Sequence, residues 1–377
     1  MLLPLGPMLA TTLNFPAAHL GYMGSAFLVS AAVAGLVGSL FLDRFDRRRA
    51  LTVALGGLSL ATGLTAVVNG LEGLMVCRFI AGMCGGPAAV LGLTIIGDSV
   101  PASARGRAMG AVSTGSGLAL VLGVPLALVL AGWLGWRGMF LLVAVLGLAL
   151  TVSAAIFLPS GLGSKRGASN AKAALREFGV MLRQRSTLLV LAMTMLLFSS
   201  IMVLATNLAA YLVYNLGVPQ SELKYIWSLG GLSGICASQG SSYLIDRYGA
   251  AVVFGVASAL TIVVFYLFFV QSPVILPPML LFCCFLACVS ARIVTSNTIT
   301  SLTSQASNRG RFMSLAGTAN QAASGIALLV VSHVLFIEPS GAMGHMVYVG
   351  YYGIFAAAAS AILAGALLHR KPTPLPT

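Results

Sequence analysis

The chain has 377 residues, of which 58% are apolar and only 8% are Asp, Glu, Lys or Arg. A soluble globular protein carries about 25% charged residues, so this composition excludes a soluble enzyme, a secreted disulfide scaffold and a disordered protein. Uncharged runs cover residues 1–42, 108–136, 186–221, 248–291 and 312–337. Apolar and polar residues do not alternate in these runs, which disfavours a porin-type β-barrel.

Apolar segments long enough to cross a bilayer recur along the whole chain. A spanning helix needs about 20 predominantly apolar residues. We therefore predict an all-α membrane protein with eleven complete spans, separated by short polar turns. They cover residues 18–41, 50–68, 74–96, 108–131, 138–158, 188–213, 223–245, 250–270, 277–301, 312–336 and 346–368.

The basic residues give the orientation of these spans. With the loop 43–49 in the cytoplasm, all but four of the 21 basic residues fall on the cytoplasmic side. The exceptions are Arg137 and Lys224 on the outer side and Arg78 and Arg292 inside spans. This bias explains the net charge of +13 as a membrane-insertion signal, without a nucleic-acid partner, and it places the C-terminus in the cytoplasm.

The cysteines indicate no metal or cofactor site. All of them lie in apolar segments without a metal-binding spacing, and we interpret them as packing residues. They are Cys77, Cys84, Cys236, Cys283, Cys284 and Cys288.

Two sequence matches indicate an internal repeat. Asp43-Arg44 corresponds to Asp246-Arg247, 203 residues later, and the two stand in the contexts Ser-Leu-Phe-Leu-Asp-Arg and Ser-Tyr-Leu-Ile-Asp-Arg. The segments 102–109 and 306–313 share the pattern Ala-Ser-x-Arg-Gly-Arg. The repeat predicts an N-terminal helical bundle at 1–158, a cytoplasmic linker at 159–187 and a C-terminal bundle at 188–377. Since the second bundle has six spans, we expect residues 1–15 to be the remnant of a first helix whose beginning is missing.

Two parallel six-helix halves joined by a cytoplasmic linker are typical of transporters. The chain resembles the major facilitator superfamily, and within it the drug:proton antiporter and arabinose-efflux-permease-like group. The resemblance covers all of the chain except the start of the first helix. It implies two pseudo-symmetric bundles that rock about a central cavity.

The strongest motif follows the span 18–41. The family pattern there is G-x-L-x-D-R-x-G-R-R, and Asp43, Arg44, Arg47 and Arg48 match it, while Ser39 and Asp46 replace the glycines. The resemblance implies a latch in which Asp43 faces the helix that begins near Arg309 and Arg311; the alternative is a solvated charge cluster. We also expect Asp98 to pair with Arg47 or Arg48. The remaining latch candidates are Arg105, Arg107, Asp246 and Arg247.

The span 108–131 carries the main indication of efflux. Gly115, Gly117, Gly123 and Pro125 resemble a degenerate form of the motif that antiporters of this family have on their fifth helix. Glycines permit close helix packing and proline bends the helix, so ordinary packing is the alternative.

Polar side chains within spans are the candidates for solute binding or proton coupling. A membrane-embedded arginine is costly and should face a cavity or a partner, although snorkelling is an alternative for Arg78. The amides could instead bond neighbouring helices. The candidates are Arg78, Arg292, Asn207, Gln239, Asn297, Asn320 and Gln321. Acidic residues are missing from the spans, and we expect the coupling carboxylate in the missing part of the first helix.

These observations predict a monomeric secondary transporter of the bacterial inner membrane, and no enzyme. Its expected partners are a small organic solute, protons and the lipid bilayer. The expected task is proton-coupled efflux of an anionic or polar neutral solute. An uptake symporter or uniporter of the same fold and a non-transporting membrane sensor or assembly protein remain alternatives.

Overall fold

The computed structural model describes residues 2–16, 19–41, 45–99, 115, 119–159, 176, 179–271, 274–303, 309–338 and 342–368. Helices form nearly all of this part of the chain, as the composition predicts. They are α1 (Leu2–Thr12), α2 (Leu20–Phe41), α3 (Arg47–Leu64), α4 (Leu71–Ser99), α5 (Val124–Phe157), α6 (Arg185–Tyr214), α7 (Leu223–Tyr248), α8 (Ala250–Phe265), α9 (Pro278–Thr303), α10 (Arg309–Val334) and α11 (Met346–Leu368).

The predicted spans correspond to these helices. Within the described residues, nine helices are long and apolar enough to cross a membrane. The helix α7 forms where a span was predicted but is not among the nine, and it includes Lys224, Asp246 and Arg247. The predicted linker 159–187 lies mostly outside the described residues, and the domain boundaries stay a prediction.

The helix α5 joins two predicted spans. It has 34 residues, and Gly135 adopts φ 67° and ψ 169° in its interior. A continuous helix of this length would measure about 51 Å, well beyond a bilayer core of about 30 Å. Glycine accepts a positive φ without a steric penalty, so the chain turns here. The first arm (124–134) and the second arm (136–157) therefore take the places of the predicted spans 108–131 and 138–158.

The helices of the two sequence halves pair in the same order. In the first half, α2 packs on α4, α4 on α3, and α3 on the second arm of α5. In the second half, α7 packs on α9, α9 on α8, and α8 on α11. This correspondence is what the internal repeat predicts.

Among the described residues, three pairs of helices form the main contacts between the halves. They are α2 with α10, α1 with α6, and the first arm of α5 with α7. Close approach in the α2–α10 pair requires small residues: a Cβ on Gly21 would collide with Ser332, and a Cβ on Gly325 would lie 3.0 Å from the backbone nitrogen of Val29.

A two-stranded hairpin that the sequence did not predict follows α10. The strands β1 (Phe336–Ile337) and β2 (Met343–Gly344) pair antiparallel, with Phe336 opposite Gly344. The Asn215 side chain bonds both backbone groups of Met343, at 3.0 Å each. This hairpin lies at the predicted outer end of α10 and is thereby tied to the end of α6.

The residue Asp46, which replaces a glycine of the family motif, caps α3. Its carboxylate accepts a hydrogen bond from the backbone nitrogen of Arg48 at 3.1 Å, and its backbone is extended. Aspartate is among the best residues at this position because the first helical N–H groups have no intrahelical partner. The loss of the motif glycine is thus compensated locally.

We predict that Asp46→Ala lowers the free energy of unfolding by about 1 kcal/mol, because the cap is lost. Denaturation of the purified protein in detergent measures this effect. Asp46→Asn is the matched variant, since asparagine caps a helix equally well without the charge. An equal loss for both variants would show that charge, and not capping, is the contribution of Asp46.

Candidate solute site

Three helices from both halves meet at a polar junction. A Cβ on Gly24 of α2 would lie 2.9 Å from Leu328 of α10 and 3.8 Å from the hydroxyl of Thr206 of α6. The neighbouring Asn207 is 1% exposed. A glycine on one helix thus lets two helices of the other half approach it closely. We call this place, where Gly24, Thr206, Asn207 and Leu328 lie, the three-helix junction.

Buried amide oxygens without partners distinguish the helices of this junction. The Nδ2 of Asn207 donates to the carbonyl of Val203 at 2.9 Å, but its Oδ1 is buried and unbonded. The side-chain oxygens of Asn320 and Gln321 on α10 are likewise buried and have no hydrogen-bond partner among the described residues. A buried acceptor without a donor is unfavourable, so these groups are suited to a ligand that brings N–H or O–H groups.

The other two predicted amides differ from these. Gln239 on α7 and Asn297 on α9 are exposed, and the structure gives no contact that brings them to the three-helix junction. Their predicted role as solute contacts stays a prediction.

The structure places Arg78 between helices of the first half. Its Nη2 donates to the hydroxyl of Thr65 at 2.8 Å, and its guanidinium lies 5.3 Å from the centre of the Phe140 ring. The partners of this guanidinium thus come from the segment after α3 and from α5. The sequence predicted that Arg78 faces a cavity or a partner, and the contacts that the structure gives it come from its own half.

The side chain of Arg292 is enclosed by helices of the second half. It is 0% exposed, its Nη2 donates to Ser360 at 2.8 Å, and its guanidinium lies 5.6 Å from the centre of the Phe254 ring. It therefore lies among α8, α9 and α11, whereas the sequence predicted a position facing the cavity. A role of either arginine in solute binding stays a prediction.

The structure describes only part of the predicted latch. Asp43, Arg44, Arg105 and Arg107 lie outside the described residues, and so do the side chains of Asp98, Arg309 and Arg311. Arg48 donates to the backbone carbonyl of Ala155 on α5. The predicted pairing of Asp98 with Arg47 or Arg48 stays a prediction. The repeat pair Asp246 and Arg247 is exposed, and Arg247 lies 5.3 Å from the Tyr248 ring centre.

The helix-five motif is also described in part. Gly117 lies outside the described residues and Gly115 is exposed. A π-helical turn over Ala119–Gly123 directly precedes Pro125 and contacts α7. Proline has no N–H to donate to the carbonyl four residues earlier, so the helical hydrogen-bond ladder is interrupted here. The motif thus places a π turn and a proline at one of the contacts between the halves.

The sequence did not single out the contact of Tyr22 with two histidines at the outer ends of α2 and α10. The Tyr22 ring lies 5.2 Å from both the His19 and the His333 ring centres, and the contact with His333 is T-shaped. The hydroxyls of Thr206 and Ser332, which adjoin glycines of α2, were missed as well. Small polar residues are too frequent in membrane helices to be selected without knowing which helices adjoin.

Comparison with known proteins identifies the family. A sequence model of the Major Facilitator Superfamily matches residues 1–328. The chain belongs to the major facilitator superfamily. Two solved structures of the fold agree: the nucleoside transporter NupG aligns with a TM-score of 0.70 at 17% identity, covering 98% of this chain and 94% of that one. The D-xylose-proton symporter aligns with a TM-score of 0.69 at 18% identity, covering 95% and 92%.

Sequence relatives in this superfamily include transporters and a resistance protein. An uncharacterized MFS-type transporter of Bacillus subtilis (strain 168) is 27% identical over 241 residues, which are 64% of this chain and 60% of the relative. The chloramphenicol resistance protein of Streptomyces lividans is 29% identical over 161 residues, 43% of this chain and 41% of the relative. The matched segments thus span less than two thirds of these relatives. The predicted family and all-α membrane fold are confirmed, and the family indicates a transporter and not an enzyme.

Proposed function

We propose that this protein exports a small polar organic solute from the cytoplasm in exchange for protons. The observation that supports this most directly is the set of buried, unbonded amide oxygens of Asn207, Asn320 and Gln321. Such acceptors favour a neutral or weakly charged solute that carries hydrogen-bond donors. The relation to a chloramphenicol resistance protein supports the same class of solute and the outward direction.

Alternating access would use the three contacts between the halves. The halves are joined where α2 packs on α10 and where the first arm of α5 packs on α7. In transporters built from inverted or parallel repeats, such contacts open and close as the halves rock. The π turn before Pro125 would give α5 a flexible point at this contact. The antiporter-like residues Gly115, Gly123 and Pro125 support proton exchange over proton symport.

Reconstituted vesicles with an imposed pH gradient test the direction and the coupling. A panel of small neutral and anionic organic solutes, beginning with chloramphenicol, is added while the internal pH is recorded with a fluorescent dye. For an antiporter, entry of the solute drives protons out, so the interior becomes more alkaline. Acidification with solute entry would identify an uptake symporter. A solute flux without any pH change would identify a uniporter, and no flux for any solute would favour the sensor alternative.

We predict that Asn320→Ala and Gln321→Ala each raise KM for the transported solute by about tenfold. The loss of one hydrogen bond of about 1–1.4 kcal/mol has this effect on affinity. The measurement is the initial transport rate as a function of solute concentration. The matched control is Gln184→Ala, because Gln184 is exposed and makes no side-chain capping bond. Unchanged KM in both amide variants would remove Asn320 and Gln321 from the solute path.

A further inference from the structure

The buried Arg292 lies at a place that has more hydrogen-bond donors than acceptors. Its Nε and Nη1 have no partner among the described residues, and the same holds for the hydroxyls of Ser258 and Ser296. All three side chains are 0% exposed. Ser296 follows Arg292 by four residues on α9, so the two side chains lie on the same face of that helix. Ser258 follows Phe254 by four residues on α8, so it lies on the face that bears the aromatic neighbour of the arginine.

The neighbouring hydroxyl groups do not correct this imbalance. Ser360 accepts from Arg292 and donates to the carbonyl of Ala357 at 3.0 Å. Thr261 donates to Ala257 at 2.7 Å and Thr295 donates to Ala291 at 2.6 Å. The protons of these three hydroxyls are therefore already donated to backbone carbonyls. The remaining N–H groups of Arg292 and the hydroxyls of Ser258 and Ser296 have no acceptor among the described residues.

The described helices around the positive charge also offer no counterion. The helices α8, α9 and α11, which surround Arg292, contain no Asp or Glu. Guanidinium stays protonated in proteins, and burying an unpaired charge is strongly unfavourable. The Phe254 ring compensates only a part of this cost.

We propose that a chloride ion binds among Arg292, Ser258 and Ser296 as a structural counterion of the second half. Chloride is a small anion without hydrogen-bond donors, so it can accept from the guanidinium and from both hydroxyls at once. A water molecule would satisfy some of the donors but would leave the charge uncompensated. The site is distinct from the three-helix junction because its contacts come from α8, α9 and α11, and it does not depend on the proposed function.

Thermal unfolding of the purified protein at constant ionic strength tests the site. Sodium chloride is titrated against sodium gluconate, whose anion is too large for an enclosed site. We expect chloride to raise the midpoint by roughly 3–6 °C at saturation, since an ion that binds only the folded state stabilises it. Bromide should replace chloride and give an anomalous X-ray signal beside Arg292.

Two variants and one control connect the effect to these residues. The double variant Ser258→Ala/Ser296→Ala keeps the charge but removes two donors, and it should raise the chloride concentration at half-effect by about tenfold or more. Arg292→Met should abolish the chloride dependence altogether. Arg185→Met removes an exposed arginine at the start of α6 and should leave the dependence intact. Equal midpoints in chloride and gluconate for the unchanged protein, or a full chloride effect in the double variant, would overturn the proposal.

Discussion

Replacing Gly82 by valine should prevent α2 and α4 from packing and should leave little folded protein. A Cβ at Gly82 would collide with the hydroxyl of Ser30 and with the backbone carbonyl of Phe27. A side chain could rotate away, but a backbone carbonyl within a helix cannot, so the two helices would have to separate. We expect a loss of about 3 kcal/mol in the free energy of unfolding. The measurements are the denaturation midpoint and the yield of monodisperse protein in detergent.

The same helix provides a matched control. A Cβ at Gly92 on α4 would meet nothing within 4 Å, so Gly92→Val has the same change in volume and helix propensity without the collision. Gly86→Val should behave like Gly82→Val, since its Cβ would collide with the backbone carbonyl of Ala31. Equal denaturation midpoints for Gly82→Val and Gly92→Val would show that α2 and α4 do not approach each other closely at Gly82.

The glycines show which part of the fold the sequence could predict. Composition and hydropathy were sufficient for the helices, because lipid requires long apolar segments with internally satisfied backbones. The predicted turn between the spans 108–131 and 138–158 contains Gly135, where the chain turns. Which glycines contact a neighbour was not predictable, since Gly82 and Gly92 differ only in what another helix places against them. The short strands β1 and β2 were missed because two residues each give no periodic signal.

The arginines show the corresponding limit for the site. The sequence predicted that a membrane-embedded Arg78 or Arg292 faces a cavity or a partner. It could not indicate toward which half each arginine side chain points, because one helix has a face toward the opposite half and another face toward its own half. The contacts of Arg78 come from Thr65, on the segment after α3, and from Phe140 on α5. The contacts of Arg292 come from Phe254 on α8 and from Ser360 on α11, the helices that correspond to α3 and α5. Both arginines thus contact their own half, but they are not equivalent in the repeat, because the offset of 203–204 residues places Arg78 opposite positions 281–282 and not opposite Arg292.

Replacing Gly325 by leucine should disturb transport more than folding, because it acts between the halves. A Cβ at Gly325 of α10 would lie 2.7 Å from Cγ2 of Val29, 3.0 Å from its backbone nitrogen and 3.2 Å from Cβ of Leu28. Both residues belong to α2 of the other half, so a larger side chain holds α2 and α10 apart about nine residues from their outer ends. If closure of this contact is part of the transport cycle, as we propose, a penalty of about 3 kcal/mol on the closed state reduces turnover by roughly 100-fold.

A distance measurement separates this effect from misfolding. Spin labels introduced by Asn14→Cys and Val334→Cys, two exposed positions at the outer ends of the halves, should report a longer distance in the Gly325→Leu protein. The control is Gly317→Leu on the same helix, where a Cβ would meet nothing within 4 Å, and it should keep both the distance and the transport rate. Full transport by the Gly325→Leu variant would mean that the cycle does not require α2 and α10 to close at this point. Loss of transport with an unchanged distance would place the defect within α10 itself, because the two halves would then still meet as they do in the unchanged protein.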